Sequence, residues 1–152
     1  MVLGPKGSKM TKVFLPHINL EYLQRTFSEG CLPNSFGIQF SEVGDNFLKA
    51  SLTIDDRHLR PGGIANGGVF LILLETVGSA ASSCAIDFEK KNTLGINVTA
   101  NHLKVAHKGD CITATAKPIH LGRSTHLWEV NIENQKKELI STGRITMMIM
   151  NK

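Results

Sequence analysis

Residues 61–81 constrain this chain more than any other stretch. Pro61-Gly62-Gly63-Ile64-Ala65-Asn66-Gly67-Gly68 is a glycine-rich turn. It runs straight into Val69-Phe70-Leu71-Ile72-Leu73-Leu74-Glu75-Thr76-Val77-Gly78-Ser79-Ala80-Ala81. The second segment predicts a helix whose first two turns carry apolar side chains in every direction, so it belongs in a core rather than on a surface. One carboxylate, Glu75, interrupts it. An ionised acid taken out of water without a partner is costly, or shifts its pKa until it is neutral. Glu75 therefore either occupies a solvent-facing strip, pairs with a distant Lys or Arg, or lines a water-accessible cleft where carboxylates do acid–base or nucleophilic work. The apolar flanks leave little room for a wet strip and favour the cleft.

The turn supports that reading. Gly67 and Gly68 lack side chains, so a ligand can approach their backbone N–H groups closely. These groups sit at a helix start, where donors lack intrahelical acceptors and the dipole favours negative charge. Such donors can hold a carbonyl oxygen as it becomes an oxyanion. With Glu75 two turns further on, both features are expected to face one substrate.

At 152 residues the chain is long enough for one domain with its own core. We expect a flexible leader over residues 1–15 and a single domain over 16–152. The leader carries Gly4, Pro5 and Gly7 but no signal-peptide core. Glu75 breaks the longest apolar block, so no membrane span is predicted. Three cysteines (Cys31, Cys84, Cys111) form no metal-ligand spacing, and Cys84 and Cys111 look like buried small hydrophobes, which suits a cytoplasmic location. The net charge of +4 is scattered among acids, which argues against nucleic acid and suits an anionic small molecule.

Leu20, Leu23 and Phe27 predict a helix within 18–28. Residues 37–54 predict a hairpin turning at Gly44-Asp45-Asn46, and 55–60 a charged loop. After the long helix the period becomes two: Ile96, Val98 and Ala100 alternate, then the phase slips, predicting a bulge near His102. Ile112, Ala114 and Ala116 mark the next strand, with Pro118 expected to end its pairing. Trp128, Val130 and Ile132, then Ile145, Met147 and Ile149, mark two more. Short connections imply antiparallel neighbours, hence an α+β fold with one antiparallel sheet wrapped around the helix. The helix has more apolar surface than one sheet covers, so a homodimer at least is expected.

This pattern resembles the hotdog-fold acyl-CoA thioesterases, in particular the phenylacetic-acid-degradation (PaaI) and dihydroxynaphthoyl-CoA thioesterase type. The resemblance covers residues 37–150 and rests on three segments. These are Gly63-Ile64-Ala65-Asn66-Gly67-Gly68 with Glu75 nine positions after Asn66, Asn97-Val98-Thr99-Ala100-Asn101-His102-Leu103, and Lys117-Pro118-Ile119-His120-Leu121-Gly122. It implies that Glu75 is the catalytic carboxylate, as nucleophile or as general base for water. It implies that the Gly67 N–H polarises the thioester carbonyl and that Ser79 helps position the attacking group. Arg60 falls where relatives carry a Gln or Asn that touches substrate or water. Gly122, Arg123 and Ser124 fall in the segment that contacts the coenzyme A pantetheine and phosphates. Members are dimers of dimers with each site built from two chains, which implies a homotetramer. Asn66 departs from the family, standing where most relatives have histidine before Gly67-Gly68; it can donate an amide hydrogen bond but cannot carry charge.

Other residues have plainer readings. His102 is a substrate-site residue or a space-filler beside a bulge. Ser79 could simply be a small residue where helix meets sheet. Arg123, between Gly122 and Ser124, suits a phosphate. His58, His107, His120 and His126 lack paired spacing and are assigned to no metal. The reading is an acyl-CoA or aroyl-CoA thioesterase needing no metal or redox cofactor. Its rivals are a non-catalytic acyl-CoA or lipid-binding protein on the same scaffold and a hotdog dehydratase.

Overall fold

A computed structural model describes residues 11–152. Helix α1 (Leu20–Phe27) and a single helical turn, α2 (Leu32–Ser35), precede strands β1 (Gln39–Val43) and β2 (Leu48–Thr53). A 3-10 turn at Asp56–His58 leads to the long helix α3 (Gly67–Cys84). Strands β3 (Lys91–His102), β4 (Cys111–Leu121), β5 (Thr125–Glu133) and β6 (Leu139–Asn151) follow. All six strands form one antiparallel sheet in the order β1-β2-β4-β5-β6-β3. α3 packs across it, touching β2 to β6, as the apolar helix requires.

α3 passes a membrane span's test of length and apolarity, but most of it is buried in the protein. Val69, Phe70, Leu73, Leu74, Val77, Ala80 and Ala81 are buried together with Gly78. At Gly78 the helix sinks into the sheet, because an added Cβ would collide with Cγ2 of Ile145 on β6. Contrary to expectation, α3 does keep one open stripe. Gly68, Leu71, Ile72, Glu75, Thr76 and Ser79 recur at three- and four-residue spacing and are half-buried or exposed.

The hairpin forms as expected, with Leu48, Ala50 and Leu52 in the core. Three expectations need correction. Pro118 does not end β4, which continues to Leu121; a bulge between Pro118 and His120 absorbs the missing N–H. The β3 bulge lies between Gly95 and Asn97, not at His102. Paired residues share a face, so Thr93 and Gly95 face α3 before the bulge, opposite buried Ile149 and Met147. After it Val98, Ala100 and His102 do, and Ile96 is left 56% exposed. Leu103 and Val105 are likewise exposed. Third, the folded body begins before residue 16. Residues 1–10 of the expected leader lie outside the described residues, but Phe14 is buried and stacks on Trp128 at 6.1 Å. The Val13 and Leu15 N–H groups donate to Asp45 O and Cys84 O. Cys84 is buried as expected, which pushes its thiol up to about 12, whereas Cys111 is only half-buried.

Candidate active site

The loop before α3 is fixed by local chemistry. Asp55 accepts the Arg57 N–H, while Nδ1 of buried His58 accepts the Asp55 N–H and its Nε2 lies 2.9 Å from Phe36 O. Arg60-Pro61-Gly62-Gly63 forms a tight turn closed by the Gly63 N–H donating to Arg60 O. Pro61 sits at its second position and Gly62, with φ of 100°, at its third. The returning chain is pinned where Ala65 N–H donates to Ala106 O and Asn66 N–H to His58 O. Arg60 is exposed, and its Nη1 donates to Pro61 O.

Asn66 is the N-cap of α3: its Oδ1 accepts the Gly68 N–H at 2.8 Å. The Gly67 N–H has no acceptor among the described residues. Beside it stands His102, whose Cδ2 and Nε2 lie 3.2 and 3.3 Å from where a Gly67 Cβ would be. Nδ1 of His102 is 2.9 Å from Ser141 Oγ. Ser141 Oγ also lies 3.3 Å from Asn101 O, so the hydroxyl is shared between the ring and the strand backbone. The ring packs on Phe70 at 5.1 Å.

Glu75 is half-buried on the open stripe. Ser79 Oγ donates to its Oε1 at 3.2 Å, and no Lys, Arg or His pairs with it among the described residues. The distant ion pair considered from sequence is therefore not formed among the described residues. Gly95 on β3, which the sequence reading passed over, lies directly against it: a Cβ there would collide with Oε1 and sit 3.4 Å from Cδ.

Gly122, Arg123 and Ser124 form the β4–β5 turn, closed by the Gly122 N–H donating to Thr125 O; Ser124 O accepts the Ile149 N–H. Arg123 is exposed and makes no ion pair among the described residues. Next to this turn, His126 is buried with Nδ1 2.7 Å from Ser82 Oγ of α3. Burial first, then the charge of His120, pushes the imidazole down to about 4. This Ser–His pair has the spacing of a nucleophile and its base, but both side chains are sealed from substrate and serve the core.

The candidate residues thus fall into two groups. Arg60, Asn66, Gly67, Gly68 and His102 gather at the start of α3. Glu75, Ser79 and Gly95 gather near its middle. The Gly122–Ser124 turn belongs to the second group, since His126 and Gly95 both pair with Met147, two strand spacings or about 10 Å apart. Gly67 and Glu75 are eight residues apart on one helix, about 12 Å of rise. Within a single chain they do not converge on one carbonyl, contrary to the sequence expectation.

A long helix packed across a six-stranded antiparallel sheet is the architecture of a hotdog-fold protein. The chain belongs to the thioesterase superfamily, whose family model matches residues 62–141, and it is a thioester hydrolase. It is 32% identical over 133 residues to the 1,4-dihydroxy-2-naphthoyl-CoA hydrolase of Escherichia coli, covering 88% of this chain and 96% of that one. The structure of a thioesterase from Haemophilus influenzae matches with a TM-score of 0.86 at 32% identity, covering 91% of this chain and 95% of that chain. That of a mutant thioesterase from Pseudomonas aeruginosa matches with 0.88 at 31%, covering 92% and 99%.

Proposed function

We propose that the chain hydrolyses acyl- or aroyl-CoA thioesters, with Glu75 as the reacting carboxylate and the Gly67 N–H as the oxyanion donor. The observation that carries this is Glu75 itself: half-buried, held by Ser79 and paired with no cation among the described residues. A purely structural acid in that position would be neutralised by a partner. Glu75 attacks the thioester carbon or takes a proton from the attacking water, and coenzyme A leaves as thiolate. Asn66, Gly68 and His102 shape the turn that presents Gly67, and Arg60 stands at the entrance. Gly122, Arg123 and Ser124 hold the pantetheine and phosphates, for which Arg123 offers a guanidinium with no ion-pair partner among the described residues. The chemistry uses the chain's own groups and needs no metal or redox cofactor.

The 12 Å between Gly67 and Glu75 supports a site built from two copies. A thioester carbonyl needs its oxyanion donor and its attacking group each within about 3 Å of the reacting atoms. A second chain running antiparallel along the edge strand β3 would bring its helix start beside the first chain's Glu75. β3 is an edge strand of the sheet among the described residues, and Leu71, Leu94 and Ile96 are exposed around it. We therefore assign a homodimer as the working unit and a dimer of dimers as the assembly, in the cytoplasm.

The test is thiol release from acyl-CoA by the purified protein, with the naphthoyl thioester named for the E. coli relative among the first substrates. Glu75→Gln and Glu75→Ala are each expected to lower turnover at least about a hundredfold, the contribution of a positioned acid–base group. Unchanged rates in both would refute the mechanism.

A further inference from the structure

We infer that Gly95 is a positioning residue: its missing side chain is the space in which the Glu75 carboxylate is held for reaction. This rests on the assignment of Glu75 above and adds a second chain element to it. Three observations meet here. A Cβ on Gly95 would collide with Glu75 Oε1, with Cδ at 3.4 Å and Oε2 at 3.6 Å. Gly95 is not among the glycines with positive φ, so its backbone would accept any L-residue, and only the space above its Cα calls for glycine. The bulge that follows, between Gly95 and Asn97, inverts the facing pattern of β3.

The bulge places two parts of the machinery on one face of one strand. Before it the odd-numbered Gly95 faces α3 under Glu75; after it the even-numbered His102 faces α3 beside Gly67. An unbroken alternation would turn one of them away. The carboxylate is then fixed by two unlike contacts: Ser79 donates a hydrogen bond to Oε1 from one turn along the helix, and Gly95 gives that oxygen room against the sheet. Met147, opposite Gly95, closes the floor, with its Sδ 3.9 Å from Ser79 Oγ.

The atom in the way of an added methyl is the far end of a flexible side chain. In Gly95→Ala the fold can therefore yield by swinging the acid rather than moving backbone. The change should cost little stability but displace Oε1 by about 1 Å, a misplacement that can cost up to about a hundredfold in rate. Gly95→Ala is expected to lower kcat at least about tenfold, with KM, melting temperature and oligomeric state close to wild type. In a Glu75→Asp background, where the shorter acid clears the methyl, the same change is expected to cost less than about threefold. Wild-type kcat in Gly95→Ala, or an equal penalty in both backgrounds, would overturn the inference. If Gly95→Ala does not fold, Glu75→Ala/Gly95→Ala decides: recovery of folding upholds the contact, and failure of both overturns it. The Glu75→Gln assay stands apart from these, because unchanged turnover there would sink the thioesterase mechanism whatever Gly95 does.

Discussion

Acid should weaken this protein through one buried histidine. His126 is 4% exposed, lies against Trp128, and holds its Nδ1 2.7 Å from Ser82 Oγ, and burial favours the neutral ring. Its pKa of about 4, against 6.5 for the free group, means that between these values the unfolded chain binds a proton the folded one refuses. Stability therefore rises with pH across that window and falls as pH drops from 6.5 toward 4. At about 1.4 kcal/mol per unit, the full gap amounts to roughly 3 kcal/mol, of which roughly 2 are gone by pH 5. The Lys90 hydrogen bond holds Asp87 below the usual carboxylate range, the His107 N–H does so for Asp110, and Lys104 for Glu138. Urea unfolding at pH 8, 7, 6 and 5 measures the slope. His126→Gln, whose amide can accept from Ser82 and carries no charge, should flatten it by roughly 2 kcal/mol over that range. The slope rather than the absolute stability is decisive, since the substitution also changes packing. An unaltered slope in His126→Gln would refute the assignment.

Two further outcomes test the scaffold. Gly78→Ala drives a methyl into Ile145 at the closest approach of helix and sheet. It should cost about 1–3 kcal/mol by thermal or urea unfolding; a neutral effect would mean that α3 is free to lift. Asn66→Ala removes the acceptor of the Gly68 N–H and should cost about 1 kcal/mol. Wild-type stability in that variant would show the cap to be idle.

Much of this architecture was legible because its signals are local. The glycine turn, the apolar run of α3 and the alternation of β2 and β5 each announce their element in a few residues. Glu75 was conspicuous because a charge inside an apolar helix breaks the pattern around it. What escaped was set by partners distant in sequence. Gly95 sits mid-strand among alternating residues, a known mark of a bulge, yet only Glu75, twenty residues earlier, explains it. The alternation from Ile96 to Ala100 looked continuous, and nothing within it tells that Ile96 is the extra residue; the register against β6 does. Pro118 was overestimated because a bulge can carry a strand past the missing donor. Phe14 was assigned to a leader because its apolar character means nothing until Trp128 is beneath it. The Ser82–His126 pair spans 44 positions and has no spacing signature.

The unpaired residue in β3 carries a constraint on descent. Substitutions at Ile96 leave the two halves of the strand facing as they do, whatever side chain stands there. Its removal would exchange inside for outside along one half, and no compensating change elsewhere in β3 could undo that except restoring the count. Over evolutionary time this strand can vary its chemistry, but its length between Gly95 and His102 cannot drift.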